Sequence, residues 1–160
     1  MVRLALATSL LLAGCVPLGS SGPDAAPGCP AIGCGPAYQI GFQRTGPWQA
    51  GTYRVEVTVD GMANSCDVIF PMDCDHPPRC QGNPGWLPTL VGCALEPGQQ
   101  RIDGVVFDRT TPTMVTVAVS LGDRSLGMHT FTPMYRSFEL APGCGLSCIQ
   151  APTEVMSLAQ

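Results

Sequence analysis

Residues 53–70 have the sequence YRVEVTVDGMANSCDVIF, and this stretch decides the fold class of the chain. Apolar side chains alternate with polar ones from Tyr53 to Val59, which is the pattern of a strand with one buried face. Asp60-Gly61 accepts the positive φ that a tight hairpin turn needs. The alternation resumes from Cys66 to Phe70 and places Cys66 on the buried face.

Other stretches repeat this pattern. Val115 to Leu121 alternates in the same way, and Gly122 to Ser125 then turns the chain into Leu126 to Phe131, which predicts a second hairpin. No stretch of ten or more residues has the 3.6-residue repeat of a helix. The remaining strand candidates are Tyr38 to Phe42, Ile102 to Phe107, and Tyr135 to Leu140, which is expected to close the sheet.

Six to eight short antiparallel strands separated by turns predict an all-β fold in which two sheets pack face to face. We therefore expect an antiparallel β-sandwich, immunoglobulin-like or related, that is held by disulfides. A small closed barrel is the alternative, because the same alternation serves a barrel equally well.

The first 15 residues carry a different signal. Arg3 precedes the apolar run Leu4 to Leu12, which is too short to span a bilayer but has the length of a signal-peptide core. The run ends in Leu12-Ala13-Gly14-Cys15. This arrangement resembles the lipobox of bacterial lipoproteins, and the resemblance implies cleavage before Cys15 and lipid on its thiol. Because two or more acyl chains, such as palmitate, anchor a protein stably, membrane lipid is the expected partner of Cys15.

The chain is thereby divided into three parts. Residues 1–14 are the expected signal peptide, residues 15–28 the lipidated cysteine with a flexible tether rich in Gly, Pro, Ser and Ala, and residues 29–160 a single domain. The resemblance implies a location in the bacterial cell envelope. Val16 stands where some bacterial lipoproteins carry an aspartate that resembles an inner-membrane retention signal, which favours the outer membrane.

The chain has nine cysteines, and eight remain, an even number, once Cys15 is assigned to lipid. In an oxidising compartment, eight cysteines predict up to four disulfides, in one of 105 connectivities. We expect three local bonds and one long-range bond: Cys29–Cys34, Cys74–Cys80, Cys144–Cys148 and Cys66–Cys93.

The charged residues argue against nucleic acid as a partner and bear on how the sheet edges are protected. The formal charge of −4 becomes −5 if Arg3 leaves with residues 1–14, and the arginines form no cluster, so nucleic acid is not an expected partner. All eight basic residues are arginine. Because lysine is absent, exposed sheet edges need another protection, either proline or disulfide bonds.

The stretch from Pro71 to Gly98 is the main candidate site. It contains three cysteines, six prolines, Trp86 and His76, and it is too long for a simple connection between strands. A loop stapled by disulfides would present an exposed Trp86, with His76 nearby, as a rigid surface for an envelope protein or glycan. The more ordinary interpretation is that Trp86 plugs one end of the sandwich.

Metal binding has weaker support. Asp73, Asp75 and His76 match no calcium or zinc spacing, so we expect a solvated acidic loop and no cofactor. Copper(I) is an alternative, because thioether and imidazole groups suit it if the fold gathers them. Its candidate ligands are Met72, His76, Met128, His129 and Met134.

Catalysis is not expected. The chain has two histidines, His76 and His129, and neither lies in a nucleophile or metalloprotease motif. No phosphate loop or dinucleotide fingerprint occurs. The sequence therefore predicts a non-catalytic binding or structural domain. The alternative to binding is a subunit of a surface assembly that joins chains through unprotected sheet edges.

Overall fold

The structure, a computed structural model, describes residues 33–82, 84–140, 145 and 147–160. In these ranges the chain forms eleven strands, and the sole helical element is a short 3-10 helix, Pro97–Gln99. The expected signal peptide, Cys15 and the expected tether lie outside the described residues. The strands are β1 (Tyr38–Arg44), β2 (Gly51–Val59), β3 (Met62–Phe70), β4 (Arg79–Cys80), β5 (Leu87–Val91), β6 (Arg101–Phe107), β7 (Val115–Leu121), β8 (Arg124–Phe131), β9 (Arg136–Glu139), β10 (Ser147–Gln150) and β11 (Glu154–Leu158).

Two sheets pack face to face, so the predicted β-sandwich is confirmed. The first sheet has the order β11-β1-β6-β5, the second has the order β4-β3-β2-β7-β8, and β9 and β10 form a separate hairpin. All neighbouring strands are antiparallel except β1 and β11, which run parallel with Ile40 opposite Glu154. The first sheet is therefore mixed.

The stretch 53–70 forms the expected hairpin. In β2 and β3, Val55 lies opposite Cys66, and both are fully buried. The turn between the strands has positive φ at Asp60 (48°) and at Gly61 (89°). The second predicted hairpin, β7 and β8, also forms, with Val115 opposite Phe131.

The core lies between the two sheets. Every second residue of β2 and β7 points inward and meets the inner face of β1 and β6. Each fully buried Val, Ile or Phe contributes roughly 1.5–3 kcal/mol relative to exposure, which makes this layer the main source of stability. Its largest fully buried side chains include Tyr38, Ile40, Tyr53, Ile102, Val105, Phe107, Val117 and Val119.

The strand β6 is continuous, although Asp103-Gly104 interrupts its alternation. Gly104 lies opposite Gly41 of β1 and has a φ of 158°. A Cβ atom at Gly104 would lie 2.0 Å from the carbonyl oxygen of Ile40. Glycine is thus required here because the two backbones approach too closely for any side chain.

The expectation that Tyr135 to Leu140 closes the sheet is wrong. Residues of this stretch form β9, which pairs only with β10, and the first sheet is completed by β11 beside β1. Alternation identifies a strand but not its neighbour, and a bond between Cys34 and Cys148 holds β10 near the segment that precedes β1.

All four expected disulfide pairs are wrong. The described bonds are Cys34–Cys148, Cys66–Cys80 and Cys74–Cys93. Cys66 and Cys80 lie directly opposite each other in β3 and β4, a proximity that sequence distance does not reveal. The partners proposed for Cys29 and Cys144 are thereby occupied, while these two cysteines lie outside the described residues.

The sandwich has two distinct ends. At the entry end, residues 33–37 lead into β1, and Tyr38 pairs with Phe107 near the Asp60–Gly61 turn and the connection 108–114. The distal end contains the connection 45–50 and the segments 71–78 and 92–100. Because β1 runs from the entry end to the distal end, the residues before it are separated from the distal end by the full length of the sandwich.

Without lysine, the edge strands are protected against pairing with other chains by other features. Strand β5 contains Pro88 and a register shift between Thr89 and Leu90, and β4 is only two residues long and is bonded to β3 through Cys80. On the other side, the backbone N–H of Ala159 donates to the carbonyl of Leu126 at 2.7 Å and bridges the two sheets. Proline and a bulge therefore blunt the β5 edge, and a disulfide blunts the β4 edge.

Candidate functional site

The segment from Pro71 to Gly98 is more ordered than a loop. It contains β4, β5 and the start of the short 3-10 helix, so the expectation of an irregular stretch is wrong. The expectation that it is stapled is confirmed by Cys74–Cys93 within it and by Cys66–Cys80, which ties it to β3. Its two parts at the distal end, 71–78 and 92–98, are thereby crosslinked to each other.

Trp86 is a plug rather than a contact surface. Its side chain is buried, with 2% of the residue exposed, and the indole Nε1 has no hydrogen-bond partner among the described residues. Next to it, the hydroxyl of Thr110 donates to the carbonyl of Gly85 at 3.3 Å. The expectation that Trp86 is exposed is therefore wrong, and its burial agrees with the ordinary interpretation as a plug.

His76 lies at the other end of the segment and is exposed. Its Nδ1 is 2.8 Å from Oδ2 of Asp73, whose other oxygen accepts the backbone N–H of Asp75 at 3.0 Å. The Asp75 N–H and then the His76 ring lower the pKa of Asp73 below its usual value. The three residues thus form one local hydrogen-bonded turn on the protein surface. The structure therefore does not bring His76 and Trp86 together in one site.

A small groove, which we call the His76 groove, adjoins this turn. It has a volume of about 220 Å³ and is lined by Asp73, His76 and mainly apolar side chains. Of these, Ile69 is more than half exposed and Met72 is buried. The groove is too small for more than a side chain or a small molecule. Its apolar lining residues are Val68, Ile69, Pro71, Met72, Pro77, Pro78 and Leu90.

Gln100 is hydrogen-bonded to the backbone of both crosslinked segments at the distal end. Only 3% of this residue is exposed, and the two N–H groups on its Nε2 are shared among the carbonyl groups of Met72, Cys93 and Leu95, whose oxygens lie 3.1–3.3 Å away. Its Oε1 accepts the backbone N–H of Met72 at 2.6 Å. One side chain therefore satisfies buried polar groups of both crosslinked segments. The sequence offered no signal for this role, since the partners lie up to 28 residues away.

A larger cavity of about 580 Å³, which we call the Arg44 cavity, also opens at the distal end. One wall comes from the end of β1 and the connection that follows, with Arg44 and Trp48, and the other from the segment that leads into β6, with Gln99 and Arg101. None of the lining residues, all of which the structure describes, is Asp or Glu. Sequence analysis missed this site, because its two walls are about 50 residues apart and carry no motif.

The expected copper ligands are dispersed. Met128 and His129 are consecutive in β8, so their side chains point to opposite faces of the sheet. Met72 and His76 lie at the distal end, whereas Met134 follows the end of β8 at the entry end. In the described ranges, no three or more His, Cys, Asp or Glu side chains form a group that could hold a metal ion.

The two histidines have only local partners. His129 packs its ring against Phe131 at 4.6 Å between ring centroids, and His76 is bonded to Asp73. In the described part of the chain, no hydroxyl or thiol is hydrogen-bonded to either imidazole, and the six described cysteines are all in disulfides. Within these ranges, neither histidine is therefore placed as a base for a nucleophile.

The entry end holds a separate polar cluster. Asp60 Oδ1 accepts the Thr113 hydroxyl at 2.6 Å and the backbone N–H groups of Thr113 and Met114 at 3.0 and 2.9 Å. These bonds lower the pKa of Asp60, with the Thr113 hydroxyl as the largest cause. Tyr38 donates its hydroxyl to Glu154, and burial followed by this bond raises the pKa of Tyr38. These contacts join the elements at the entry end and serve the fold.

Comparison with known proteins adds no relative: no protein-family model matches the chain, and no curated protein and no solved structure is significantly similar to it. No helix in the described residues is long and apolar enough to cross a membrane.

Proposed function

We propose that this chain is a lipid-anchored protein of the bacterial cell envelope, with the outer membrane favoured, whose β-sandwich binds a partner without catalysing a reaction. One observation carries the proposal. Residues 33–37 enter the sandwich at the entry end, whereas the Arg44 cavity and the His76 groove are at the distal end. A domain attached through residues that precede β1 would therefore carry both cavities at the end opposite its point of attachment, where a partner can reach them.

The disulfides support export. All six described cysteines are bonded, in three bridges that join residues 14, 19 and 114 positions apart. Disulfides of this kind form and persist in oxidising compartments outside the cytoplasm. With these pairs made, Cys29 and Cys144 are the only partners left for each other within the chain if Cys15 carries lipid. A thiol assay on the denatured, unreduced protein should then find no free sulfhydryl among these eight cysteines.

Binding is favoured over assembly through sheet edges. A strand-to-strand contact between chains needs a row of free backbone groups, and Pro88 with the adjacent bulge interrupts that row on β5. On the second sheet, β4 offers only two residues, and at the opposite edge, β8, the Leu126 carbonyl already accepts the Ala159 N–H. The His76 groove, in contrast, is framed by the crosslinked segments 71–78 and 92–98, and the Arg44 cavity takes part of one wall from the second of them, which pre-organises both for a ligand.

The anchor is tested by mass spectrometry of the mature protein from a bacterial host. The expected product begins at Cys15 and carries diacylglycerol on its thiol, and it stays with washed membranes. The Cys15→Ser variant should be neither acylated nor cleaved at this position. An unmodified Cys15 in the wild-type protein, or a mature chain that begins elsewhere, would overturn the proposal.

A further inference from the structure

The Arg44 cavity is electrostatically distinct from the rest of the protein. The chain has a net charge of −4, yet this cavity is lined by two arginines and by no carboxylate. The charge of Arg101 is partly compensated, because its Nε lies 3.0 Å from Oδ1 of Asp103. Arg44 forms no ion pair with any described residue. The cavity therefore offers a ligand one guanidinium, that of Arg44, which has no carboxylate partner among the described residues.

Arg44 is held in one orientation. Its Nη1 donates to the carbonyl of Pro47 at 2.8 Å, and its Nε donates to the carbonyl of Ala159 at 3.2 Å. The guanidinium lies 5.4 Å from the ring centre of Trp48. These contacts use two of its five N–H donors and leave three free.

Trp48 is itself fixed, which makes the position of Arg44 well defined. Its ring stacks on Phe70 at 5.5 Å and meets Tyr53 edge-on at 4.8 Å. The Tyr53 hydroxyl in turn accepts the backbone N–H of Gln49 at 2.8 Å. A guanidinium that is oriented before binding loses little freedom when it forms a bidentate contact.

We infer that this cavity binds the C-terminal carboxylate of a peptide, with Arg44 as the principal contact. The inference rests on the proposed binding function and names its ligand class. A planar carboxylate accepts two parallel hydrogen bonds from a guanidinium, and its single negative charge matches that of the unpaired Arg44. A phosphate dianion would need further donors.

The remaining walls favour a peptide over an acidic sugar. Gln43 and Gln99 are exposed and offer amide groups to a peptide backbone, and the exposed Leu95 offers an apolar contact to a side chain. Sugar rings typically stack on a free aromatic face. Trp48 is buried between Arg44 and Phe70 and offers no such face.

The test uses the disulfide-intact chain from residue 15 onward, produced directly without residues 1–14 and with Cys15→Ser, so that no signal cleavage is needed and no lipid is attached. The probes are a mixture of acetylated tetrapeptides with free C-terminal carboxylates and the same mixture with C-terminal amides. Binding is followed by NMR through the Arg44 Nε and Trp48 indole resonances. The carboxylate mixture should shift both signals and bind at least about tenfold more tightly than the amidated mixture, since a bidentate charged contact is lost in the amide.

Two substitutions locate the contact. Arg44→Gln should weaken binding of the carboxylate mixture by about tenfold or more, and Arg101→Gln by a smaller factor, because Arg101 is already paired. Arg124→Gln, an exposed arginine in the β7–β8 hairpin, is the matched control and should bind as the wild type does. Unchanged melting temperatures would show that the variants are folded.

Three outcomes would overturn the inference: equal binding of carboxylate and amide mixtures, equal binding by the Arg44→Gln variant, or glucuronate that binds more tightly than the peptides and displaces them. None of these outcomes bears on whether Cys15 carries lipid or on whether the disulfides form. Failure of the peptide inference is therefore distinguishable from failure of the proposed anchored location.

Discussion

Gln100 and Met72 form a reciprocal pair of buried hydrogen bonds: the Met72 N–H donates to Gln100 Oε1 at 2.6 Å, and Gln100 Nε2 donates to the Met72 carbonyl at 3.2 Å. Met72 lies in the disulfide-stapled segment from Pro71 to Gly98, and Gln100 is the residue immediately before β6. The pair therefore fixes the stapled segment to the first sheet independently of the disulfides.

Replacement of Gln100 by leucine should destabilise the protein. The substitution leaves the Met72 N–H and three carbonyl groups without their partner in a buried site, and an unsatisfied buried group costs about 1–3 kcal/mol. Urea unfolding measures the loss. The neighbouring exposed Gln99→Leu is the control and should be close to neutral. Equal stabilities of the two variants would show that the buried hydrogen bonds of Gln100 contribute nothing.

Trp86→Ala should lower the free energy of unfolding by roughly 3–5 kcal/mol, the usual cost of removing a buried aromatic side chain. Leu87→Ala is the matched control. This adjacent residue is 61% exposed, so its truncation should change stability by less than about 0.5 kcal/mol. A Trp86→Ala protein of wild-type stability would contradict the plug interpretation.

Gly104→Ala should prevent the first sheet from forming, because the new Cβ would lie 2.0 Å from the Ile40 carbonyl oxygen. Gly41→Ala, directly opposite in β1, is the comparison. Its Cβ would make only ordinary contacts, the nearest at 3.8 Å to the carbonyl of Glu154. Circular dichroism and yield of soluble protein separate the two. If both alanine variants fold alike, the backbones of β1 and β6 do not approach each other closely at Gly104.

Asp60→Asn should reduce stability at neutral pH but not in acid. Hydrogen bonds from Thr113 and Met114 lower the pKa of Asp60 in the folded protein, so its stabilising effect is complete above the unfolded pKa of about 4 and is lost as pH falls through the folded pKa. The difference in melting temperature between wild type and variant should therefore shrink below about pH 4.

Asp123→Asn, in the turn of the other hairpin, serves as the control for charge alone. Its melting temperature should follow that of the wild type across the same range. A constant gap between wild type and Asp60→Asn down to pH 2 would show that protonation of Asp60 is not involved.

Local patterns predicted the two hairpins because each depends on neighbours in sequence: alternation sets the buried face, and a turn such as Asp60-Gly61 sets the register. Such patterns do not report which distant strands pair. The parallel contact of β11 with β1, the strand β5 within a proline-rich stretch, and all disulfide partners therefore had to come from the three-dimensional structure.

The candidate site shows the same limit. Trp86 was singled out because tryptophan is common in binding surfaces, and the same residue type fills cores equally well. Arg44 went unnoticed, because its significance depends on the absence of carboxylates from walls that meet only in the fold. Side-chain identity suggested a chemistry, and only the packing decided which residues face solvent.

The parallel pairing of β1 with β11 also constrains when the domain matures. Ile40 meets Glu154, and Cys34 is bonded to Cys148, 114 residues further along the chain. If the chain is exported as proposed, β1 gains β11 as its neighbour, and Cys34 its partner, only after residues 148–158 have emerged. Loss of β11 would leave one side of β1 unpaired, and an unpaired strand in an otherwise complete sheet is prone to aggregation.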